Sequence, residues 1–248
     1  MQLDFSGRRA LVTGGTRGIG AAIVDALLGA GCEVIATGTD TRVIIEAQSV
    51  AQSTGKRVRY EVADFSTASG MDRFAESISS ERLDVLINNA GINRLASIGE
   101  LSMEDWDEIV GVNLRAPTVL CRAIAPGMAI RGYGRIVNIG SVFGNVSRSR
   151  RVAYSTTKFG ILGLTRTVAL DYANRNVLSN AVSPGFIETD LTRKILTPTQ
   201  REELAAATPM GRLGQADEIA RVVIFLASEA NSYITGQQLI ADGGFTSV

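Results

Sequence analysis

The prediction of the fold starts from residues 9–20, Arg9-Ala-Leu-Val-Thr13-Gly14-Gly-Thr-Arg-Gly18-Ile-Gly20. Its opening apolar run predicts a short buried strand, and the alanine-rich segment that follows, to about residue 30, predicts a helix. Glycines in such a turn let the backbone approach a phosphate, whose charge is stabilised by the positive N-terminus of the helix. The spacing is GxxxGxG and departs from the GxGxxG fingerprint, and an isolated glycine-rich turn is more often only a turn.

Strand and helix patterns alternate along the rest of the chain. Strands are predicted at residues 33–38, 57–62, 84–88, 135–139, 177–182 and 238–240, and helices at 41–53, from after 66 to about 79, and at 104–114, 117–130, 153–174, 198–207 and 215–227. This alternation predicts an α/β fold with a parallel sheet and right-handed crossovers. No linker or repeat interrupts the pattern, so residues 1–248 are predicted to form a single domain.

Composition excludes several classes of function. The 25 basic residues equal the 25 acidic residues, so no overall charge indicates binding to nucleic acid or to an anionic membrane. No apolar run approaches the ~18 residues of a membrane span, and the first six residues do not resemble a signal peptide, so a cytoplasmic protein is expected. Cys32 and Cys121 are expected to be reduced core thiols. Histidine is absent, which excludes a histidine-containing zinc site and a Ser-His-Asp triad, and no metal is expected.

Tyr154 and Lys158 are four residues apart on the predicted helix 153–174 and therefore share one face. A nearby ammonium group favours the phenolate and would lower the pKa of the tyrosine from about 10, making it usable as a general acid or base. An isolated pair of this spacing is more often a core tyrosine with a solvated lysine. Ser141 follows the predicted strand 135–139, at the edge of the sheet where such folds place reactive side chains. Asn113 on an apolar helix face would by itself be a buried amide that satisfies the neighbouring backbone.

The end of the second strand indicates the cofactor. An acidic residue there commonly binds the ribose 2′-hydroxyl of NAD. Here the strand ends Thr37-Gly38-Thr39, Asp40 comes late, and Arg17 and Arg42 could face a 2′-phosphate. The sequence therefore favours NADP, with NAD as the alternative.

Two further segments carry predictions. Gly160 and Gly163 lie inside the helix 153–174, where each costs about 1 kcal/mol relative to alanine, so close approach of another helix at a subunit interface is expected. Residues 189–208 are polar and are predicted to form a mobile flap over the site.

Several motifs occur together in the order and spacing of the short-chain dehydrogenase/reductases. They are Thr13-Gly-x-x-x-Gly18-x-Gly20, Asn88-Asn-Ala-Gly91, Asn113, Ser141, Tyr154-x-x-x-Lys158 and Ser183-Pro-Gly185. Over its whole length the chain most resembles the β-ketoacyl-acyl-carrier-protein reductase branch, including Pro184-Gly185-Phe-Ile-Glu-Thr189-Asp and Tyr233-Ile-Thr-Gly236. The resemblance implies a single Rossmann-like doubly wound parallel sheet of about seven strands and a homotetramer.

The resemblance also implies a catalytic tetrad of Asn113, Ser141, Tyr154 and Lys158. Tyr154 would donate a proton to the carbonyl oxygen as hydride arrives, and Ser141 would hydrogen-bond the same oxygen. Lys158 would lower the pKa of the tyrosine and hold the ribose, and Asn113 would anchor a water that links Lys158 to solvent. The predicted cofactor-binding residues are Gly14, Thr16, Arg17, Gly18, Ile19, Gly20, Thr39, Asp64, Phe65, Asn89, Ala90, Gly91, Tyr154, Lys158, Pro184, Gly185, Ile187 and Thr189.

The substrate is the less determined part of this prediction. The segment before Tyr154 is basic, and Arg148, Arg150 and Arg151, with Arg94 as a helper, are candidates for binding a carboxylate or phosphate. A solvated surface run is the alternative for such clustered charges. In carrier-protein reductases basic residues beside the site receive the acidic carrier, and Arg131 and Arg175 fall near such positions, although Gly132 occupies one place where an arginine is expected.

The predicted function is an NAD(P)-dependent oxidoreductase that interconverts a ketone and a secondary alcohol, with a 3-oxoacyl thioester on acyl carrier protein as the first substrate hypothesis. A catabolic dehydrogenase of a sugar, sugar acid or other small polyol is the second. A non-catalytic protein that senses the cofactor on the same scaffold is a remote third, since fold alone does not imply function.

Overall fold

Alternating strands and helices form one parallel sheet with helices on both faces. The structure, a computed structural model, describes residues 3–189, 192–193 and 196–247. Its seven-stranded sheet has the order β3-β2-β1-β4-β5-β6-β9 and consists of β1 (Arg9–Val12), β2 (Glu33–Gly38), β3 (Val58–Val62), β4 (Val85–Asn88), β5 (Gly134–Ile139), β6 (Val177–Pro184) and β9 (Gln238–Ala241). The short strands β7 (Ile187–Glu188) and β8 (Gly214–Gln215) pair separately.

The helices are α1 (Gly18–Gly29), α2 (Thr41–Ser53), α3 (Ala68–Ser79), α4 (Met103–Val110), α5 (Ala116–Arg131), α6 (Val152–Tyr172), α7 (Pro198–Ala206) and α8 (Ala216–Ala227). None of the helices in the described ranges is long and apolar enough to cross a membrane. Within the same ranges, no group of three or more cysteine and acidic side chains is placed to hold a metal ion. The predicted flap includes residues 190, 191, 194 and 195, which lie outside the described residues.

Successive side chains of each strand point to opposite faces of the sheet, and this creates two cores. Ala10 and Val12 of β1 face a core shared with α1 and α8, whereas Leu11, between them, faces a second core shared with α3 and α5. Strands covered on both faces require this continuous apolar pattern. Both cysteines are free and buried, as predicted, and burial raises the pKa of Cys32 and of Cys121 to about 12.

The strand order reverses between β1 and β4, which are hydrogen-bonded neighbours. In open parallel sheets the crevice at the carboxyl ends of the two strands flanking this point is the place where nucleotides bind. The glycine turn follows β1 and Asn89 follows β4 at this point. The topology therefore brings the two motifs together, although about 75 residues separate them in the chain.

Two predictions about the helices require correction. The predicted helix 104–114 ends at Val110 and continues as a π-helical turn, Gly111–Arg115, that leads directly into α5. Gly160 packs inside the chain, because a Cβ added there would lie 3.0 Å from the Leu114 side chain, so its small size serves a contact within the subunit. Gly163 has nothing within 4 Å of its Cβ position and lies on an exposed face.

Candidate active site

The glycine turn after β1 has a backbone that only glycine adopts readily. Gly14 and Gly18 have φ values of 63° and 55°, in the left-handed region. A Cβ on Gly20 would lie 2.1 Å from the carbonyl oxygen of Gly14. The turn is therefore closed tightly against the start of α1, which leaves its outer backbone accessible to a ligand.

The N-terminus of α1 is suited to an anion. Its N-cap residue, Arg17, makes no side-chain capping bond, and the first turn of α1 carries no acidic residue. The first N–H groups of a helix need a partner, and the helix dipole favours a negative charge there. Residues 14–20 thus fit the pyrophosphate of a dinucleotide on the geometry of the turn itself.

Asn89 fixes the turn from the opposite strand. Its Nδ2 donates hydrogen bonds to the carbonyl oxygens of Thr13 (2.9 Å) and Gly14 (3.0 Å). The Thr13 hydroxyl accepts from the backbone N–H groups of Asn89 and Ala90, both at 3.0 Å. The predicted contacts of residues 89–91 with the nicotinamide ribose therefore start from a loop that is held rigidly to the glycine turn.

The end of β2 lacks a free carboxylate. The Asp40 side chain accepts hydrogen bonds from the backbone of Arg42 (2.9 Å) and Val43 (3.4 Å), which makes it the N-cap of α2. Thr39 is exposed beside it, and Arg17 and Arg42 are exposed as well. Because the Asp40 carboxylate is engaged as a helix cap, it is less suited to accept from a ribose hydroxyl, and two exposed arginines stand in the segments on either side.

The other predicted cofactor residues lie at the same edge of the sheet. Asp64 ends the segment after β3, and a hydrogen bond from Ser66 lowers the pKa of its carboxyl group. The Phe65 ring is buried against Phe74, so residue 65 can offer only its backbone to a ligand. On the far side, a Cβ on Gly18 would lie 3.6 Å from the Thr189 side chain, which places the segment Pro184–Thr189 against the glycine turn.

Ser141 and Tyr154 meet beyond the carboxyl end of β5. Burial raises the pKa of Tyr154 above its ordinary value, while the Ser141 hydroxyl and the charge of Arg151 act in the opposite direction. The Ser141 oxygen also accepts a hydrogen bond from the backbone N–H of Phe143 at 3.2 Å, which orients the hydroxyl. A protonated phenol and a second hydroxyl that face one point can both donate to a carbonyl oxygen.

Lys158 lies on the same face of α6 as Tyr154. Its side chain is buried, its Nζ donates to the carbonyl oxygen of Ile139 at 2.7 Å, and Nζ lies 5.5 Å from the centre of the Tyr154 ring. Burial lowers the pKa of Lys158 to about 8. The predicted lowering of the tyrosine pKa by Lys158 is not found in this structure, because burial of the phenol dominates and the opposing charge is that of Arg151.

Asn113 occupies the π-helical turn between α4 and α5. Its Oδ1 accepts from the N–H of Ile92 at 2.8 Å, and its Nδ2 donates to the Ile92 carbonyl at 2.9 Å and to Thr157 at 3.2 Å. A Cβ on Gly91 would lie 3.5 Å from Asn113 Oδ1 and 3.8 Å from Lys158 Nζ. The amide therefore satisfies neighbouring backbone, as expected of a buried asparagine, and also lies beside the lysine. Turns of this type are frequent at functional sites.

The four candidate substrate arginines separate into two groups. Arg94 is paired with Asp105 at 3.0 Å and with Glu108, and Arg150 is paired with Glu100 at 2.7 Å. Arg148 lines a cavity, and the Arg151 guanidinium lies 4.9 Å from the centre of the Phe143 ring. Of the four, the structure therefore places only Arg148 and Arg151 near Phe143, the ring that contacts Tyr154.

The cavity beside Tyr154 has a volume of about 340 Å³. Phe143 contacts the Tyr154 ring edge-on at 6.4 Å and begins a row of aromatic rings that continues through Phe186 to Phe245. The cavity is lined by Phe143, Val146, Ser147, Arg148, Glu203, Leu204, Ala207 and Phe245. The aromatic rings and the residues of and after α7 that line this cavity were not predicted from the sequence. Phe143 follows Ser141 by two residues, but the others lie far from every site motif in the chain, so their positions give no signal.

Arg131 and Arg175 are not beside this site. Arg131 ends α5 and donates to the carbonyl oxygen of Leu83, just before β4, and Arg175 lies just before β6. Both are therefore at the amino edge of the sheet, opposite Ser141. Within one chain they lie away from the active site, because α5 and α6 run antiparallel to the strands and carry their C-terminal ends to the opposite edge; their predicted role in receiving a carrier protein stays a prediction.

Comparisons with known proteins agree with this geometry. A family model described as Enoyl-(Acyl carrier protein) reductase matches residues 14–246. The 3-oxoacyl-acyl-carrier-protein reductase of Aquifex aeolicus is 40% identical over 247 residues, which cover 98% of this chain and 99% of that protein. The acetoacetyl-CoA reductase of Rhizobium meliloti is 39% identical over 241 residues, which cover 96% of this chain and 98% of that protein.

A solved structure has the same fold as this chain. The gluconate 5-dehydrogenase of Burkholderia cenocepacia, in complex with NADP and tartrate, matches with a TM-score of 0.92 and 32% identity, covering 100% of this chain and 98% of that one. The predicted fold class and the predicted enzyme class, an oxidoreductase acting on a ketone or a secondary alcohol, are confirmed. On its sequence, its sheet and its crevice, the chain belongs to the short-chain dehydrogenase/reductase family.

Proposed function

We propose that the protein is a cytoplasmic, NADP-preferring reductase of 3-oxoacyl thioesters carried by acyl carrier protein. The observation that carries this proposal is the meeting of Ser141, Tyr154 and Lys158 at the end of β5, beside a phosphate-binding turn. The extent of similarity to reductases of carrier-bound and CoA-bound 3-oxoacyl groups supports the substrate class.

The chain's own residues account for the acid–base half of the reaction. A reduced nicotinamide bound in the crevice supplies the hydride. The Tyr154 phenol, whose pKa burial raises above its ordinary value, is protonated at neutral pH and donates its proton to the carbonyl oxygen. The Ser141 hydroxyl donates a hydrogen bond to the same oxygen and stabilises the charge that develops there.

Lys158 and Asn113 would complete the proton path. The ammonium group of Lys158 would return a proton to Tyr154 after the transfer, since its own pKa of about 8 allows it to exchange a proton near neutral pH. Asn113 lies on the other side of Gly91 and is suited to hold a water against Lys158. In the oxidation of an alcohol the same steps run in reverse.

The first experiment is a kinetic assay. Purified protein is mixed with NADPH and acetoacetyl-CoA or an acetoacetyl-carrier thioester, and absorbance of the reduced nicotinamide is followed. Loss of absorbance that depends on both components is expected. Failure to oxidise NADPH with either thioester would refute the substrate assignment.

A second candidate is oxidation of a sugar acid or a related hydroxy acid. Arg148 on the cavity wall and Arg151 over the Phe143 ring favour it, because a guanidinium binds a carboxylate well. A screen of gluconate, other aldonates and neutral polyols with NADP⁺ and NAD⁺ tests it, and absence of turnover with every anionic sugar would exclude it. The remote third candidate, a protein that only senses the cofactor, predicts no turnover with any ketone or alcohol.

We also propose a homotetramer. Along α6, Phe159 and Leu170 are exposed apolar residues on the face where Gly163 leaves open space, and Ile130 on α5 and Tyr233 are more than four-fifths exposed. Exposed apolar side chains of this size commonly lie at an interface between subunits. Light scattering coupled to size exclusion should give four times the mass of 26.3 kDa, and a monomeric mass would contradict the proposal.

A further inference from the structure

Among the arginines around the active site, Arg148 and Arg151 differ from their neighbours in their surroundings. Arg94 and Arg150 are held by carboxylates at the surface. Within the described part of the chain, no carboxylate forms an ion pair with Arg148 or Arg151. A surface role therefore accounts for the first two arginines but not for the second two.

Arg151 is half-buried, which makes its missing partner significant. Its guanidinium stacks over the Phe143 ring, and Phe143 in turn contacts Tyr154. Burial lowers the pKa of Arg151, the charge of Arg148 adds to that effect, and Tyr154 opposes it. A partly buried guanidinium with a second, exposed guanidinium near it is disfavoured unless an anion joins them.

We propose that Arg148 and Arg151 form an anion subsite that holds a carboxylate or phosphate of the carbonyl substrate while Tyr154 protonates its carbonyl oxygen. This proposal rests on the ketoreductase function proposed above and makes it more specific. The planar guanidinium of Arg151, whose Cζ lies 4.9 Å over the centre of the Phe143 ring, has the fork of donors that binds two oxygens of one oxyanion. Arg148, which is exposed on the cavity wall, adds the second charge.

The surroundings restrict the size and charge of the ligand. Because Arg151 rests on the ring that contacts Tyr154, its ligand lies close to the reacting carbonyl, as the carboxylate of a short keto acid does. Glu203 lines the same cavity and would repel a polyanion, so a ligand with a single charged group is expected. The phosphate of a pantetheine arm is the other source of the same chemistry, at a greater distance from the ketone.

Three substrates with the same ketone separate these sources. Acetoacetate carries a carboxylate, its phosphopantetheine thioester carries a phosphate, and its N-acetylcysteamine thioester carries neither. The kcat/KM for each anionic substrate is divided by the kcat/KM for the uncharged thioester. In Arg148→Gln and Arg151→Gln we expect this ratio to fall about 10-fold or more for one of the two anionic substrates, which identifies the source.

Arg94→Gln and Arg150→Gln are the matched controls, because both arginines are already paired with acids. Their ratios should stay within about 2-fold of the wild-type ratio, since a surface ion pair contributes little. Arg151→Lys keeps the charge but not the planar fork, and should lie between wild type and Arg151→Gln. Equal losses with all three substrates would show that Arg151 acts on Tyr154 or on folding and would overturn the subsite, as would unchanged ratios.

A binding measurement separates failure of the subsite from failure of the proposed function. Calorimetric titration of acetoacetate, as a probe with one carboxylate, into wild-type protein saturated with NADP⁺ requires no turnover, because a ketone cannot be reduced by the oxidised cofactor. Weakening of about 10-fold in Arg148→Gln and Arg151→Gln, but not in the controls, supports the subsite even if no thioester is reduced. Turnover of the uncharged thioester together with equal acetoacetate affinity in all five proteins would retain the reductase and remove the subsite.

Discussion

Lys158 donates a 2.7 Å hydrogen bond to the main-chain oxygen of Ile139, the last residue of β5. This bond ties α6, which carries Tyr154, to the sheet and places a buried ammonium group close to the Tyr154 ring. A single neutral acceptor offsets only part of the cost of removing that charge from water. The site therefore includes a group that opposes folding.

Replacing Lys158 by Met should stabilise the protein at pH 7. The lysine pKa falls from 10.5 to about 8, a difference worth about 3 kcal/mol, and loss of the bond to Ile139 returns about 1 kcal/mol. A net gain of about 1–2 kcal/mol in the free energy of unfolding is expected from urea denaturation, together with loss of activity.

The same comparison has a defined pH dependence. The folded wild type binds fewer protons at Lys158 than the unfolded chain between pH 8 and 10.5, so its stability rises with pH in that window. The advantage of Lys158→Met should therefore shrink between pH 7 and pH 9.5. A variant less stable than wild type at pH 7 would contradict this account.

Replacing Tyr154 by Phe should reduce kcat for ketone reduction by about 10²-fold or more, because the proton donor is removed. NADPH binding, measured by fluorescence titration, should change by no more than a few-fold. Tyr172→Phe, at the other end of the same helix, is the control and should retain full activity. Unchanged activity in Tyr154→Phe would overturn the mechanism.

The rates of ketone reduction and of alcohol oxidation should depend on pH in opposite ways. Burial raises the pKa of Tyr154 above its ordinary value of 10, so the phenol stays protonated up to about pH 10 and serves reduction. The loss of ketone reduction and the gain of alcohol oxidation that come from this group should therefore lie above pH 10, since oxidation needs the deprotonated form. Parallel initial-rate profiles from pH 6 to pH 11 check this, and a fall in reduction centred below pH 10 that is retained in Tyr154→Phe would argue against Tyr154 as the titrating group.

The Thr39→Asp substitution should reverse the cofactor preference. It introduces a carboxylate at the end of β2, where Asp40 is occupied as a helix cap, and so repels a 2′-phosphate while accepting from a ribose hydroxyl. The ratio of kcat/KM for NADPH to that for NADH should fall by about 10-fold or more, since a lost or repelled charge contact is worth ~1.5–3 kcal/mol. Thr41→Asp, two residues further on, provides a control for added charge. Equal effects of the two substitutions would remove Thr39 from the cofactor site.

Two glycines of α1 should respond oppositely to alanine. Gly20→Ala places a Cβ 2.1 Å from the Gly14 carbonyl oxygen and should abolish NADP binding or lower stability by several kcal/mol. Gly29→Ala meets nothing within 4 Å and should stabilise the helix by about 0.5–1 kcal/mol. Thermal melts with and without NADP distinguish the two effects, and a stable Gly20→Ala protein that binds NADP normally would contradict the assigned role of the turn.

The sheet and the shared helix face of Tyr154 and Lys158 were predictable because their signals are local. Apolar runs, the glycine turn and the spacing of Tyr154 and Lys158 each depend on residues near one another in the chain. The π-helical turn at Asn113 was missed, because its sequence continues an ordinary amphipathic helix and only the hydrogen bonds to Ile92 distinguish it. Ile92 lies 21 residues before Asn113 in the chain, so the sequence around Asn113 does not indicate this contact.

The arginines show the same limit. Arg148, Arg150 and Arg151 form one basic run in the sequence, yet Glu100, from a distant loop, pairs with Arg150 alone. Likewise, Gly160 suggested an interface between subunits, and the space it leaves is filled by Leu114 of its own chain. In each case the deciding contact comes from tertiary packing, which spacing along the chain does not encode.

The π-helical turn at Gly111–Arg115 acts as a phase shift between α4 and α5. It holds one residue more than an α-helical turn needs, and each residue of an α-helix rotates the chain by about 100°. Deleting a single residue from this turn would leave every later residue of α5 rotated by that angle, so the helix could not keep both Asn113 at Ile92 and its apolar side in the core. The position of the Asn113 amide and the rotation of the sixteen-residue helix α5 about its axis are therefore coupled. No point substitution elsewhere in α5 could compensate for the deleted residue.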